Sequence, residues 1–290
     1  MIEVNDKIIT IGHFPDNTQL IKFDDKEIRN DLYDNHITIR WKYESDEECM
    51  TLYFLVKHLR NIPNYGKNVK IHLNMWYLPN ARMDRVKNSD EIFTLKYFAE
   101  FINSLNFDSV ELLDVHSDVG RGLINNVIES TDVVKGYVRW AINCIQIDAN
   151  SEQIVPVLFF PDAGAMKRYE YLAKEYGQEG ILYANKKREW RTGKILGLDI
   201  NTEFFNSSIE GRTILMVDDI ISYGGTMKYS AEKLKELGAG KIYIYCSHLE
   251  NSVLDEEKGT LLPLLNNGTV EKIFTSHSLF SKSHPKIIEV

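Results

Sequence analysis

The stretch from Thr213 to Thr226, reading TILMVDDIISYGGT, constrains the fold more than any other part of the chain. Ile214 to Val217 is a run of large apolar residues without alternation. That predicts a short strand buried on both faces of a parallel sheet. Two carboxylates, Asp218 and Asp219, follow directly, then a polar loop with Gly224 and Gly225, then Thr226. Met227, Ala231, Leu234 and Leu237 recur at helical spacing, and Gly238 sits where a helix C-cap belongs. The order is strand, acidic pair, glycine loop, helix. At the carboxyl end of a parallel strand, such a loop aims backbone N–H groups and a helix N-terminus at an anion. The acids beside it repel a bare phosphate, but they accept hydrogen bonds from sugar hydroxyls or face a metal. A phosphate and a polyol held side by side describe a phosphorylated sugar. A solvated turn with two surface acids is the alternative.

Composition narrows the partners. The 290 residues suffice for two domains or one large one, and 43% hydrophobic with 26% charged residues is ordinary for a globular protein. A formal net charge of −8 argues against a nucleic-acid partner. It leaves a small anionic ligand open, because local positive potential coexists with net negative charge. Cys49, Cys144 and Cys246 are far apart, odd in number and without a C-x-x-C, which predicts reduced packing residues of a cytoplasmic protein. No apolar run reaches membrane-span length, and Met1 to Asp6 lacks the pattern of a signal peptide. The expectation is a cytoplasmic protein with no membrane partner.

Along the chain, Gln19–Phe23 and His36–Trp41 alternate as strands do, and Glu44–Glu48 opens a helix with an apolar face at Leu52, Leu55, Val56 and Leu59. Val69–Met75 and Val110–Val115 predict strands, with a helix over Glu91–Leu105 between them carrying Phe93, Tyr97, Phe101 and Leu105 at spacings of four. The second half repeats the style. It has strands at Ile154–Phe160, Ile181–Ala184 and Lys241–Cys246 and a helix near Ala165–Tyr176. Strands alternating with helices argue for an α/β fold with mainly parallel sheets. The polar stretch Asp148–Ser151 sets the expected division, giving two similar domains over residues 1–147 and 148–290.

Function in such sheets collects where strands end. Four strand-end loops are charged: Trp76–Arg85, Asp114–Ser117, Pro161–Arg168 and Asn185–Arg188. His116 and Asp162 are candidate holders of a hydrated magnesium ion, which prefers oxygen ligands and keeps several waters. A hydrogen-bonded histidine and a helix-capping aspartate are the plain alternatives. Lys186, Lys187 and Arg188 fit a solvated basic turn, or a loop that closes over a polyphosphate. The glycines and cations from Asn185 to about Asn206 have the composition of a mobile loop.

The acidic pair with Ser222–Thr226 resembles the phosphoribosyl-diphosphate (PRPP) motif shared by type I phosphoribosyltransferases and ribose-phosphate pyrophosphokinases. The chain as a whole resembles the pyrophosphokinases. Pro79–Arg85 is similar to their Y-A-R-Q-D-R, Asp114–His116 to D-L-H, Pro161–Arg168 to P-D-A-G-G-x-x-R and Asn185–Arg188 to D-K-R-R, all in family order. Phe14–Thr18 is similar to their N-terminal F-S/P-D-G-E; Phe23–Glu27 is a rival match.

The resemblance implies two type I phosphoribosyltransferase-like domains, with the PRPP motif in the second. It implies transfer of diphosphate from ATP to the 1-hydroxyl of ribose 5-phosphate. By the same resemblance Asp218 and Asp219 hold the ribose hydroxyls, and Ser222, Tyr223, Gly224, Gly225 and Thr226 hold the 5-phosphate. Phe14, Asp16, Arg82, Met83 and Asp84 belong to the ATP site, His116 and Asp162 to the Mg2+–nucleotide site, and Lys186 and Arg188 to catalysis. Phe14 and Asp16 reaching a neighbouring subunit imply a homo-oligomer, a dimer or higher.

The departures are Met83 for Gln, Thr18 for Glu, Asn185 for an acid, Asp118-Val119 for Gly-Gln, and Ser222 for an acid common in the sugar-phosphate loop. No Walker A sequence is present, which excludes an ordinary P-loop kinase. A phosphoribosyltransferase that consumes PRPP, and a catalytically silent regulatory homologue, are the rival readings.

Overall fold

The computed structural model describes residues 1–22, 35–62, 69–177, 180–188, 195–205 and 207–290. Phe23–Glu27, the rival N-terminal match, lies outside them. The chain divides into two compact units, Met1–Ser130 and Thr131–Val290.

The first unit contains β1 (Ile2–Val4), β2 (Lys7–Ile8), β3 (Thr10–His13), β4 (Gln19–Lys22), β5 (His36–Trp41), α1 (Glu47–Asn61), β6 (Lys70–Asn74), α2 (Thr94–Ser104), β7 (Ser109–Glu111), α3 (Asp118–Leu123) and β8 (Val127–Ile128). Its sheet runs β2-β1-β5-β6-β7-β8, and β3 and β4 form a separate hairpin. Neighbours from β5 to β8 are parallel, while β1 is antiparallel to both β2 and β5. Alternation places Ile37, Ile39 and Trp41 in the core, where Leu52, Leu55, Val56 and Leu59 of α1 meet them. The buried stripe of α2 is Leu95, Phe98, Ala99 and Ile102, and Tyr97 is exposed. A strict spacing of four drifts about 40° per step around a 3.6-residue helix, so the Phe93–Leu105 series walks off the face. Mixed spacings of three and four stay on it.

The second unit contains α4 (Thr131–Asp148), β9 (Val157–Phe160), α5 (Ala163–Arg168), α6 (Glu170–Tyr176), β10 (Ile181–Arg188), β11 (Ile195–Asn201), β12 (Ile214–Ile221), α7 (Gly225–Glu236), β13 (Ile242–Leu249), a 3-10 turn (Asn251–Leu254), α8 (Leu262–Asn267), β14 (Ile273–Thr275) and β15 (Ile287–Glu289). The sheet order is β11-β10-β9-β12-β13-β14-β15, all parallel except β11 on β10. All eight residues of β13 are buried, as expected for a central strand.

Other features differ from the sequence expectation as well. The division falls after Ser130, ahead of the expected 147/148, because α4 belongs to the second unit. Trp140 packs edge-on against Phe274 with ring centroids 5.7 Å apart, Lys272 Nζ donates to Asp148 at 2.7 Å, and Arg139 Nε donates to the Tyr176 hydroxyl at 3.2 Å. The stretch expected to open as a loop at Asn185 instead continues as β10 through Arg188 and pairs with β11. The alternating apolar residues of Ile195–Ile200 supply the partner strand, and the register shifts between Lys187 and Arg188. Finally, β12 does not stop at Val217 but runs through both acids to Ile221.

In the first unit, Gly120 of α3 lies where the strand-end segments meet. A Cβ there would stand 2.7 Å from Val115 Cγ1 and 2.8 Å from Leu78 Cδ2. Gly120→Ala should therefore destabilise this unit by about 1–2 kcal/mol, overpacking outweighing the gain in helix propensity. Denaturant unfolding of the variant checks this.

Candidate functional site

The parallel order reverses between β9 and β12. From β9 the chain builds outward to β10, and from β12 it builds the other way to β13 and β14. Ligands bind beyond the carboxyl ends of strands at such a reversal. Asp162 sits at the end of β9, Asp218 and Asp219 lie in the last half of β12, and the Ser222–Gly224 loop leads into α7. A cleft of about 380 Å³ opens here, walled by Asp218, the loop and the first turn of α7, with Tyr229 at its side.

Adjacent carboxylates, one buried and one partly buried at the cleft wall, need a counter-charge. Asp219 is 3% exposed and ion-paired with Arg168, the last residue of α5. Asp218 accepts the Asp219 N–H at 3.0 Å. Its carboxyl is pushed well above the ordinary range, first by burial, then by the charge of Asp219, with Asp162 adding to it. Asp162 caps α5 by accepting the Ala165 N–H at 2.9 Å. The plain capping role is thus filled, and the same carboxylate also stands close enough to Asp218 to act on it electrostatically. Among the described residues no group of three or more His, Cys, Asp and Glu stands in metal-holding geometry. The oxygen-only donors Asp162 and Asp218 still suit a hard cation that keeps its own waters.

The loop is held from the neighbouring segment. Gly224 has φ +84°, and a Cβ on it would stand 2.4 Å from Leu261 Cγ, so both backbone and space demand glycine. Thr260 donates to the Tyr223 carbonyl through N at 2.8 Å and Oγ1 at 2.7 Å. Ser222 donates its hydroxyl to Glu250 Oε2 at 2.6 Å. That proton is committed to a carboxylate, so the donors that the loop turns towards an anion are its backbone N–H groups. Gly225 and Thr226 form the first turn of α7, whose N–H groups have no intrahelical partner.

In the first unit, two of the charged strand-end loops converge. Leu113 N donates to the Trp76 carbonyl at 2.9 Å, and Asp114 turns the chain with φ +46°. Arg85 binds both oxygens of Asp84, at 2.8 and 3.0 Å. This holds the Asp84 carboxyl below its ordinary range against the opposing effect of burial, and His116 adds to the lowering. Asp84 and His116 are therefore brought together, and Asp84 is engaged in fixing Arg85. Arg82 is exposed, Met83 is half-buried, and His116 is half-buried just before α3.

Phe14 and Asp16 lie at the tip of the β3–β4 hairpin, both exposed. Asp16 accepts from Thr18 Oγ1 at 2.7 Å and Thr18 N at 3.0 Å, which lowers its pKa, so it also forms the turn. Lys186 and Arg188 lie in β10.

Sequence reasoning did not single out Arg168 or Glu250. Arg168 carried a signal as the last residue of the Pro161–Arg168 segment. Glu250 carried none, being 28 residues from its partner Ser222.

The two acids should respond oppositely to neutralisation. A carboxyl whose pKa is raised on folding makes stability fall as pH rises from its unfolded to its folded value, with the full penalty above the latter. Asp218→Asn removes that penalty and should melt above the parent at neutral pH, the gap closing in acid. Asp219→Asn leaves Arg168 without this partner and should melt lower, by on the order of 3 kcal/mol. Thermal melts from acid to neutral pH test the opposite signs.

Known proteins resemble this chain in sequence and fold. The Phosphoribosyl transferase domain family matches residues 143–271. A ribose-phosphate pyrophosphokinase of Pyrococcus furiosus is 25% identical over 244 residues, covering 83% of this chain and 77% of the relative. One of Bordetella parapertussis is 22% identical over 272 residues, covering 92% and 76%. One of Vibrio parahaemolyticus is 28% identical over 193 residues, covering 62% and 57%. The crystal structure of phosphoribosylpyrophosphate synthetase from Mycobacterium smegmatis superposes with a TM-score of 0.69 over 98% of this chain and 85% of that one, at 16% identity, which shows a shared fold. In its α/β fold, its match to the phosphoribosyl transferase domain over residues 143–271 and these relatives at 22–28% identity, the chain is similar to the ribose-phosphate pyrophosphokinases.

Proposed function

We propose that the protein is a ribose-phosphate diphosphokinase, in which the 1-hydroxyl of ribose 5-phosphate attacks the β-phosphorus of ATP to give PRPP and AMP. The observation that carries this reading is the cleft at the start of α7, with Asp218 on its wall and Asp219 beside it. An anion fits the N–H groups of the loop and helix, and a polyol fits the carboxylates. Asp218 and Asp219 accept hydrogen bonds from the ribose hydroxyls. The crowding that raises the Asp218 pKa is relieved when hydroxyl donors approach. Tyr223, Gly224, Gly225 and Thr226 hold the 5-phosphate through backbone N–H groups.

Arg82, Met83, Asp84, Phe14 and Asp16 serve the nucleotide, with Asp84 acting through Arg85. Magnesium, when bound, would neutralise phosphate charge; in this reading Asp162 of the second unit is a side-chain neighbour for it, and His116 of the first unit serves the nucleotide beside Asp84. Lys186 and Arg188 stabilise charge on the transferring diphosphoryl group, so catalysis is positioning plus electrostatics. The protein works as a cytoplasmic homo-oligomer. Among the described residues no helix is long and apolar enough to cross a membrane.

With Mg-ATP and ribose 5-phosphate the protein should form AMP and PRPP in equal amounts. Lys186→Ala and Arg188→Ala should lower kcat by ~10²–10³ with little change in either KM. ADP as product, or PRPP consumed only with an added nucleobase, would overturn the assignment. Quantifying nucleotides and PRPP over time decides it.

A further inference from the structure

An acid is common at this position of the sugar-phosphate loops that the stretch resembles, and this chain carries Ser222. The structure places an acid beside it from another strand. Glu250 follows the end of β13, and its N–H donates to the Ile221 carbonyl at 2.9 Å. Its Oε2 receives the Ser222 hydroxyl at 2.6 Å and the Ser252 hydroxyl at 3.1 Å. The shorter contact is in the range of a charge-assisted bond. Ser222 lines the cleft, and Glu250 stands behind it.

Glu250 precedes the 3-10 turn Asn251–Leu254, where an acid commonly caps. Its side chain makes no capping bond to that turn. The carboxylate is turned to the two serine hydroxyls instead. A hydroxyl has one proton, and Ser222 gives it to Glu250, so its oxygen offers lone pairs to the cleft. A phosphate dianion needs donors and gains nothing from such a group. A sugar hydroxyl is a donor and does gain.

We propose that Glu250 is a positioning residue of this site: by taking the Ser222 proton it makes position 222 an acceptor for a substrate hydroxyl, standing in for the acid of related loops. The inference rests on the sugar-phosphate reading above. It adds that the sugar, rather than the phosphate, is read at this position.

The test is calorimetric affinity for ribose 5-phosphate and for inorganic phosphate in the parent, Glu250→Gln, Glu250→Ala, Ser222→Asp and the Glu250→Ala/Ser222→Asp pair, with thermal melts on each. Glu250→Ala should weaken ribose 5-phosphate about tenfold, the worth of one charge-assisted hydrogen bond. It should leave inorganic phosphate unchanged or tighter, since a nearby negative charge is gone. Glu250→Gln, nearly isosteric, should fall between parent and Glu250→Ala. Ser222→Asp should weaken sugar binding in the parent, where two acids collide, and restore it in the Glu250→Ala background.

Parallel loss of both ligands in Glu250→Ala and Glu250→Gln would mean a loop brace and overturn the proposal. So would failure of Ser222→Asp to restore binding. A parent that binds ribose 5-phosphate without making PRPP refutes the activity alone, and the variant affinities still decide Glu250. A parent that binds neither ligand refutes both.

Discussion

The ion pair between Arg168 and Asp219 is what the site depends on. Two neighbouring carboxylates in the last half of a central strand are electrostatically unfavourable, and burial makes them more so. Arg168, delivered by the short helix after β9, compensates one of them. The other, Asp218, is left with a raised pKa and a place on the cleft wall. The arrangement is costly to the empty protein and favourable to a ligand that brings hydroxyl donors. Binding energy at functional sites is commonly held in this form.

The sheet order supplies the geometry that the ion pair needs. Because β9 and β12 are neighbours at the reversal, Asp162, Arg168 and the acid pair come to one place from segments some fifty residues apart. The same logic places Glu250. β12 and β13 run in register with Ile221 opposite Leu249, so Glu250 emerges beside Ser222. Thr260 and Leu261 then close over Tyr223 and Gly224, which leaves the loop one backbone path.

Local chemistry was legible in the sequence wherever it was carried by contiguous residues. The strand, glycine loop and helix from Ile214 onward, the α/β alternation, and the gathering of charge at strand ends were all readable. The end of β12 was misplaced by four residues, because adjacent acids look like a strand terminator until Arg168 is seen beside them. The basic run Lys186–Arg188 read as loop because its pairing with Ile195–Asn201 depends on a partner strand. The domain division was set too late because the polar residues after Asp148 are conspicuous, whereas the face of α4 formed by Val134, Val138, Ala141, Ile142 and Ile145 shows its allegiance only through packing. The contact between Glu250 and Ser222 is a product of strand register and left no mark on either neighbourhood.

Carbon-detected NMR titration of aspartate-labelled protein, assigned with the Asp218→Asn and Asp219→Asn variants, tests the central claim most directly. The Asp218 carboxyl should titrate well above the ordinary aspartate range, and both carboxyl resonances should move when ribose 5-phosphate is added. An Asp218 that titrates in the ordinary range, with both resonances indifferent to the sugar phosphate, would contradict the account.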